Sequence, residues 1–404
     1  MIASVGPPQM PYPGLRPFEA EDAPLFFGRE AQVNALLRQL EDHRFVAVVG
    51  SSGSGKSSLV RAGLLPAVGE GFLLGTTDWR VLLMRPGQYP YQGLAPVLSE
   101  VTRPHGDTPI APAGEASATA GEARTVAALR STDRGLLQAL ADTTIGPDCK
   151  ALVVVDQFEE LFGFRRTAAK REEAVSRDEA AGFVRLLLRS CSDPEGRVWV
   201  VLTMRSDFIG DCEAFLGLPE AVSRSQFLVP RLDRSQMEEA IARPGEVNGA
   251  PFRPFTFEEG LVNSIINDAG DRPDQLPLMQ HALMRTWKLA VRRAGADGAG
   301  FQLKREDYGM AGGIENALSR HADQAGAWPS SPAFTAVTRA ACFRPRTSIG
   351  SRTGKPAPHR NGPSATSRKR PGRLCWPSSK PAGRRYSARR SDGPGSVYKN
   401  ACCS

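Results

Sequence analysis

Eight consecutive residues, Gly50, Ser51, Ser52, Gly53, Ser54, Gly55, Lys56 and Ser57, fit the spacing G-x-x-x-x-G-K-[ST]. The chemistry open to such a loop is phosphate binding. Glycines let successive backbone N–H groups turn inward around an anion, and a helix that starts at the loop's end, from about Lys56 on through Ser57 and Ser58, points its positive pole at the same charge. Lys56 is placed to reach β- and γ-phosphates, and the hard hydroxyl oxygen of Ser57 suits Mg2+. A carboxylate that could meet that metal stands at Asp156, at the end of the apolar run "ALVVV"; capping the turn that follows is its other open role. Glu159 and Glu160 follow in "DQFEELF", where either could polarise a water or stand as a solvated charge at a helix start. Arg205 closes "VVLTMR", after Thr203, and could stabilise transferred charge or pair with Asp207 on the surface.

These side chains can act together only if the chain brings strand ends to one crevice. Apolar runs at 44–50, 79–87, 150–158 and 197–205 read as buried strands, with 225–232 as a fifth. Val33, Leu36, Leu37 and Leu40 recur at helical spacing within 26–43. Further helices are expected from Lys56 to Leu65 with a stop near Pro66, at 136–142 and at 179–191. Strand, loop and helix in alternation, with nearly continuous apolar strands, argue for an α/β fold: a parallel sheet covered on both faces, its strand ends opening onto one crevice. The Pro-rich residues 1–24 read as an extended lead-in, and the small, polar run 111–124 as a surface loop. From Asp233 the text turns helical through "SQMEEAIARPGE", "TFEEGLVNSIINDAG" and "LPLMQHALMRTWKLAVRRAG". The expected organisation is therefore an α/β domain over 25–232, a helical module over 233–325 and a tail over 326–404.

Charge separates the tail from the rest. The chain carries a net +8, yet residues 327–404 hold 16 Lys and Arg against one acid, Asp392, a net of +15. The remaining 35 basic and 42 acidic residues leave the body at −7, so the basic total says nothing about the body's partners. The tail is rich in Pro, Ser, Gly and Arg and shows neither helical nor strand periodicity, so disorder is expected. Three cysteines lie in the body (Cys149, Cys191, Cys212) and match no zinc or disulfide pattern, which points to a reducing, cytoplasmic setting. The N-terminus lacks the charged and apolar regions of a signal peptide, and no apolar run approaches the length of a membrane span.

Six stretches occur in one order: "PYPGLRPFEAEDAPLFFGRE", "GSSGSGKSSLVRAGLLP", "VVVDQFEELF", "VVLTMRSDF", "ARPGEVNG" and "LPLMQHALMRTW". Together, over roughly residues 11–322, they resemble a STAND-class P-loop NTPase of the bacterial novel STAND NTPase type. The resemblance implies an ATP-controlled signalling switch that hydrolyses ATP slowly to ADP and phosphate with Mg2+, and that self-associates on activation. It implies a sheet of order 5-1-4-3-2, with the phosphate loop on strand 1, Asp156 on strand 3 and a helical lid after the sheet. Gly28, Arg29 and Glu30 match the GRE element that lies near base and ribose; a helix-start residue paired with an acid is the other reading of Arg29. Arg243 and Pro244 match the Pro-containing lid element that packs toward the nucleotide. Two other functions remain open: a nucleic-acid-associated AAA+-like ATPase, favoured only by the basic tail, and an inactive nucleotide-binding fragment. Non-specific binding of polyanions is the most that the tail implies.

The sequence departs from the resemblance in two ways. It shows none of the WD-repeat, protease-like or DNA-binding modules to which this type is often fused. The familiar text also stops within an expected helix, after "GGIENALSRHADQA" (312–325), where Arg/Pro/Ser/Gly-rich text takes over. An out-of-frame reading of a GC-rich gene produces such a switch, so residues from about 326 onward are expected to be a frameshift product. Resequencing the gene through this junction checks it; an intact frame, with the tail detected in the native protein, refutes it.

Overall fold

The computed structural model describes residues 10–101, 115–141, 149–166, 170–194, 196–270, 275–295 and 300–317. Five short apolar runs form one parallel sheet: β1 (Phe45–Gly50), β2 (Trp79–Met84), β3 (Lys150–Val155), β4 (Val198–Arg205) and β5 (Gln226–Leu228). Their spatial order is β2-β3-β4-β1-β5, the expected 5-1-4-3-2 read from the other edge. The pairing register sets Val48 beside Thr203 and Val155 beside Leu202, so Asp156, just past the end of β3, comes level with Thr203, while β1 and β4 run on to the paired Gly50 and Arg205.

The two faces of the sheet are buried in separate cores, which is why the central strands read as unbroken apolar runs. Alternation sends Val46, Val48, Leu152, Val154, Trp199 and Val201 to one core. Their neighbours Ala47, Val49, Val153, Val155, Val200 and Leu202 go to the other. The first face is covered by α1 (Glu30–Asp42), through Leu36, Leu37 and Leu40, and by the helix after the phosphate loop. That helix runs as α2 (Lys56–Ser58), a π-helical turn (Leu59–Leu64) and α3 (Leu65–Gly69). It was expected to stop near Pro66 and instead passes through it. Pro66 falls in the first turn of α3, where the bonding pattern changes and a missing N–H costs little.

The second face is covered by α4 (Pro90–Val101), α5 (Glu115–Ser131), α6 (Gly135–Ala141) and α7 (Lys170–Cys191). The run 111–124, expected to be a loop, is helical from Glu115 onward. Its alanines are strong helix formers, and low complexity concealed that propensity. Before β5 comes α8 (Leu218–Arg224).

The lid follows as α9 (Arg234–Ala242), α10 (Leu261–Ala269), α11 (Gln275–Ala294) and α12 (Arg305–Ala311) around a third core. Asp233 starts it with a capping box: its carboxylate accepts from the Gln236 N–H at 2.9 Å, and the Gln236 Oε1 accepts from the Asp233 N–H at 3.0 Å. The lid is not purely helical as expected. β6 (Phe255–Phe257) and β7 (Phe301–Leu303) pair in parallel, each too short for an alternating pattern to show.

Residues 10–25 are not the extended lead-in expected of 1–24. Tyr12, Phe18 and Leu25 are buried, and Ala20–Leu25 forms a 3-10 helix. The Tyr12 hydroxyl donates to the Ile241 carbonyl of α9 at 2.6 Å, tying this segment to the lid. The tail expected to be disordered from 326 lies outside the described residues. No helix among the described residues is long and apolar enough to cross a membrane.

Gly28 marks how closely segment and lid approach. Its φ is +80°, and a Cβ there would lie 2.3 Å from the Gln236 carbonyl oxygen. Gly28→Ala is expected to lose about 2–4 kcal/mol in urea unfolding, from left-handed strain and the backbone clash together. Gly69→Ala, with nothing within 4 Å of the added methyl, should stay within about 1 kcal/mol of wild type.

Candidate functional site

β1 ends at Gly50, and the loop that follows turns on two left-handed glycines, Gly53 (φ +70°) and Gly55 (φ +86°). Gly50 is needed for space, since a Cβ there would sit 2.7 Å from Ser54 Oγ. Lys56 folds back over its own loop, donating to the carbonyls of Gly50 (3.0 Å) and Ser51 (2.7 Å). Burial pushes its ammonium below the ordinary lysine value, with the Glu159 carboxylate opposing that shift. Arg29 braces the loop from outside: its guanidinium donates to the carbonyls of Ser54 (3.0 Å) and Pro230 (2.8 Å). Burial lowers Arg29 to about 10. Its partners are carbonyls and not the acid considered from the sequence.

Asp156, 1% exposed, is the centre of the polar network. Its Oδ1 accepts from the hydroxyls of Ser57 (2.7 Å) and Thr203 (2.6 Å). Its Oδ2 accepts from Arg61, at 2.9 Å from Nη2 and 3.2 Å from Nε. Thr203 Oγ1 in turn accepts from the Gln157 N–H at 2.9 Å. Gln157 has φ +58°, a left-handed conformation unusual for a side chain of its size. The N-terminal segment closes the network: Glu19 accepts from Arg61 Nη1 at 2.8 and 2.9 Å, and the Phe18 N–H donates to Ser58 Oγ at 3.1 Å.

A cavity of about 280 Å3 opens over this network. The phosphate loop lines it with Ser52, Gly53, Gly55, Lys56, Ser57 and Ser58, and the strand ends with Gln157, Glu159, Thr203 and Arg205. Further walls come from residues 14–18, from 25–27 with Arg29, from Arg85 after β2, and from the α11 residues Leu276, Pro277, Met279 and Gln280. The donor set fits a phosphate chain with a divalent cation. Glycine-turned N–H groups and an ammonium suit the anion, and the Ser57 hydroxyl oxygen suits Mg2+; Asp156 does not line the cavity and lies behind Ser57, whose hydroxyl it holds.

The two carboxylates of "DQFEELF" part company. Glu159 lines the cavity and accepts from the Arg205 N–H at 3.3 Å. Glu160 is not among the lining residues; its Oε2 accepts from the Gly87 N–H at 3.1 Å, which ties it to the loop after β2. Arg205 pairs with Asp207 and also lines the cavity. Its Nε is buried without a hydrogen-bond partner.

Of Gly28, Arg29, Glu30, Arg243 and Pro244, Arg29 alone lines the cavity. Gly28 packs against α9. Glu30 is exposed and faces Arg243 at 3.4 Å, while the Arg243 guanidinium lies 4.3 Å from the Phe27 ring centroid. Pro244 is buried in the turn after α9. Gly50, Ser51 and Ser54 shape the loop without lining the cavity. Sequence reasoning missed Arg61, Glu19 and the segment 14–18. Their signals were the apolar pair Tyr12 and Phe18 within Pro-rich text and the place of these residues in two of the stretches that carry the resemblance. It also missed the α11 wall, although "LPLMQHAL" was in view.

A family model described as Novel STAND NTPase 1 matches residues 11–344, a span that continues past Gly326. No curated protein matches the chain in sequence. Among solved structures, the chain is similar to the Aeropyrum pernix ORC1 protein in complex with DNA, at 14% identity and a TM-score of 0.45, covering 75% of this chain and 69% of that one. It is also similar to the Walker-type ATPase PABY2304 of Pyrococcus abyssi, at 18% identity and a TM-score of 0.45, covering 77% of each. A third is the Aeropyrum pernix ORC2 protein in ADPNP-ADP complexes, at 14% identity and a TM-score of 0.43, covering 71% of this chain and 69% of that one.

Thr203→Val keeps the shape of the side chain and removes the hydroxyl that joins Asp156 to Gln157. Two buried groups then lose a partner, so unfolding free energy in urea is expected to fall by about 1–3 kcal/mol. Thr203→Ser, which keeps the hydroxyl, should recover most of that loss.

Proposed function

The chain belongs to the novel STAND NTPase 1 family, a family of P-loop NTPases, and from that premise we propose that its cavity takes ATP with Mg2+ and works as a slow, nucleotide-controlled switch. The observation that carries this reading is the composition of the cavity wall. Phosphate loop, strand ends, N-terminal segment and the lid helix α11 all face the same space. A ligand held there touches both the sheet and the lid and so favours the arrangement in which both walls meet it. Shifting such a two-state balance from 1:99 to 99:1 takes about 5.5 kcal/mol of differential affinity.

Each residue has a role in this reading. Lys56, now donating to two loop carbonyls, turns its ammonium to the phosphates. The loop N–H groups hold the anion in place. Ser57 would hold Mg2+ through its hydroxyl oxygen, while Asp156 accepts a hydrogen bond from that hydroxyl and so fixes which way its oxygen faces. The bound nucleotide supplies a γ-phosphoryl group whose transfer to water leaves ADP and phosphate. Glu159 takes the proton of the attacking water at its carboxylate. Arg205 offers its buried Nε–H to developing charge. Self-association of the chain in the nucleotide-bound arrangement completes the proposal.

Lys56→Ala is expected to weaken ATP binding about 10- to 100-fold, the worth of about 1.5–3 kcal/mol for hydrogen bonds to a charged group. Asp156→Ala should flatten the Mg2+ dependence of that binding. Equilibrium titration with a fluorescent ATP analogue measures both, and unchanged affinity in both variants overturns the site assignment. Glu159→Gln should keep ATP binding but slow phosphate release by about 10^2- to 10^4-fold, the usual range for a lost general base. Glu160→Gln should leave that rate near wild type.

A further inference from the structure

Asp156 has more partners than a metal-site carboxylate needs. An ionised carboxyl group offers about four acceptor positions. Here four donors fill them: the hydroxyls of Ser57 and Thr203 on Oδ1, and Nε and Nη2 of Arg61 on Oδ2. Arg85 Nε adds a weaker approach at 3.8 Å. The guanidinium of Arg61 thus lies where a cation drawn to Asp156 would feel it as a like charge. Arg61 is itself held from the other side, its Nη1 bridging both oxygens of Glu19 at 2.8 and 2.9 Å. Its side chain is 13% exposed, whereas that of Glu19 is 36% exposed. Arg61 sits in the π-helical turn Leu59–Leu64, a distortion that often accompanies functional positions.

We propose that Arg61 is the built-in counter-cation of Asp156, that it competes with Mg2+ for the negative charge of that carboxylate, and that Glu19 moderates the competition by sharing Arg61. The proposal rests on the nucleotide-site reading above. Its logic is electrostatic. Arg61 cancels the charge that would attract a divalent ion, so its removal leaves a buried carboxylate with unspent negative potential. Glu19 draws part of the Arg61 charge outward, so its neutralisation leaves Arg61 committed wholly to Asp156. The two substitutions therefore act with opposite signs. Asp156 reaches the metal indirectly in this arrangement, through the Ser57 hydroxyl that it orients. Arg61 and Glu19 are positioning residues; neither is assigned contact with the nucleotide.

The test uses the full chain and the fluorescent nucleotide mant-ATP, with its binding followed across a MgCl2 titration and in EDTA. Arg61→Gln keeps hydrogen-bonding capacity without charge and is expected to lower the midpoint Mg2+ concentration about tenfold. Arg61→Lys keeps the charge and should stay within about twofold of wild type. Glu19→Gln should raise the midpoint about two- to fivefold, while affinity in EDTA changes less than the midpoint does in all three variants. A purely structural ion pair predicts lower melting temperatures and no movement of the midpoint. Midpoints that stay put in both neutral variants, or that rise in Arg61→Gln, overturn the proposal. Should Arg61→Gln fail to fold, the half-exposed Glu19→Gln decides alone, a raised midpoint supporting the proposal and an unchanged or lowered one overturning it. Wild-type chain that binds no mant-ATP at any Mg2+ concentration overturns the nucleotide reading and this inference with it. Binding that is intact while the midpoints stay put overturns this inference only.

Discussion

A buried carboxylate is costly unless its lone pairs meet donors, and Asp156, 1% exposed, meets four from two separate parts of the chain. Ser57 and Arg61 come from the helix that follows β1, Thr203 comes from the end of β4, and Asp156 itself follows β3. For these to meet, β1, β3 and β4 must lie side by side and parallel, in a register that brings Asp156 level with Thr203. The sheet order and the pairings Val48 with Thr203 and Val155 with Leu202 do that. The apolar runs that bury both sheet faces therefore position a charge that those runs could not tolerate unpaired.

The same demand reaches the N-terminal segment. Glu19 completes the pairing of Arg61, and Arg61 completes that of Asp156. Tyr12, from the same segment, is anchored by its hydroxyl to α9, and Gly28 fits against the Gln236 carbonyl only because it lacks a Cβ. Sheet, segment and lid are thus joined by short polar contacts around one cavity. A chain built this way has few independent parts near its site.

Much of this was legible in the sequence because it is local. The phosphate loop is a contiguous spacing, and its glycines have a purely conformational reason to be there. The strands are short apolar runs with turn residues between them, and the alternation with helices is enough to call a parallel sheet. Asp156 was legible because a carboxylate directly after such a run must lie at a strand end. The helical reading of the lid missed β6 and β7 because three-residue strands leave no period to detect. Residues 115–124 and 10–24 depart from expectation because composition speaks of average behaviour, whereas Tyr12 and Phe18 each need only one buried place.

What the sequence determined by itself was the chemistry available, in the loop, Lys56, Ser57 and Asp156, and the order of elements that could present it. Tertiary structure alone decided which of two neighbouring carboxylates faces the cavity. Glu159 and Glu160 are equivalent in type and adjacent in the chain, and the backbone after β3, with Gln157 at φ +58°, sends one to the cavity and the other to Gly87. Tertiary structure also decided that Arg29 braces the loop, that Gly28, Glu30 and Pro244 stay outside the cavity, and that Arg61 closes on Asp156. Such choices depend on side-chain direction over contacts separated by up to hundreds of residues, which residue type and spacing do not carry.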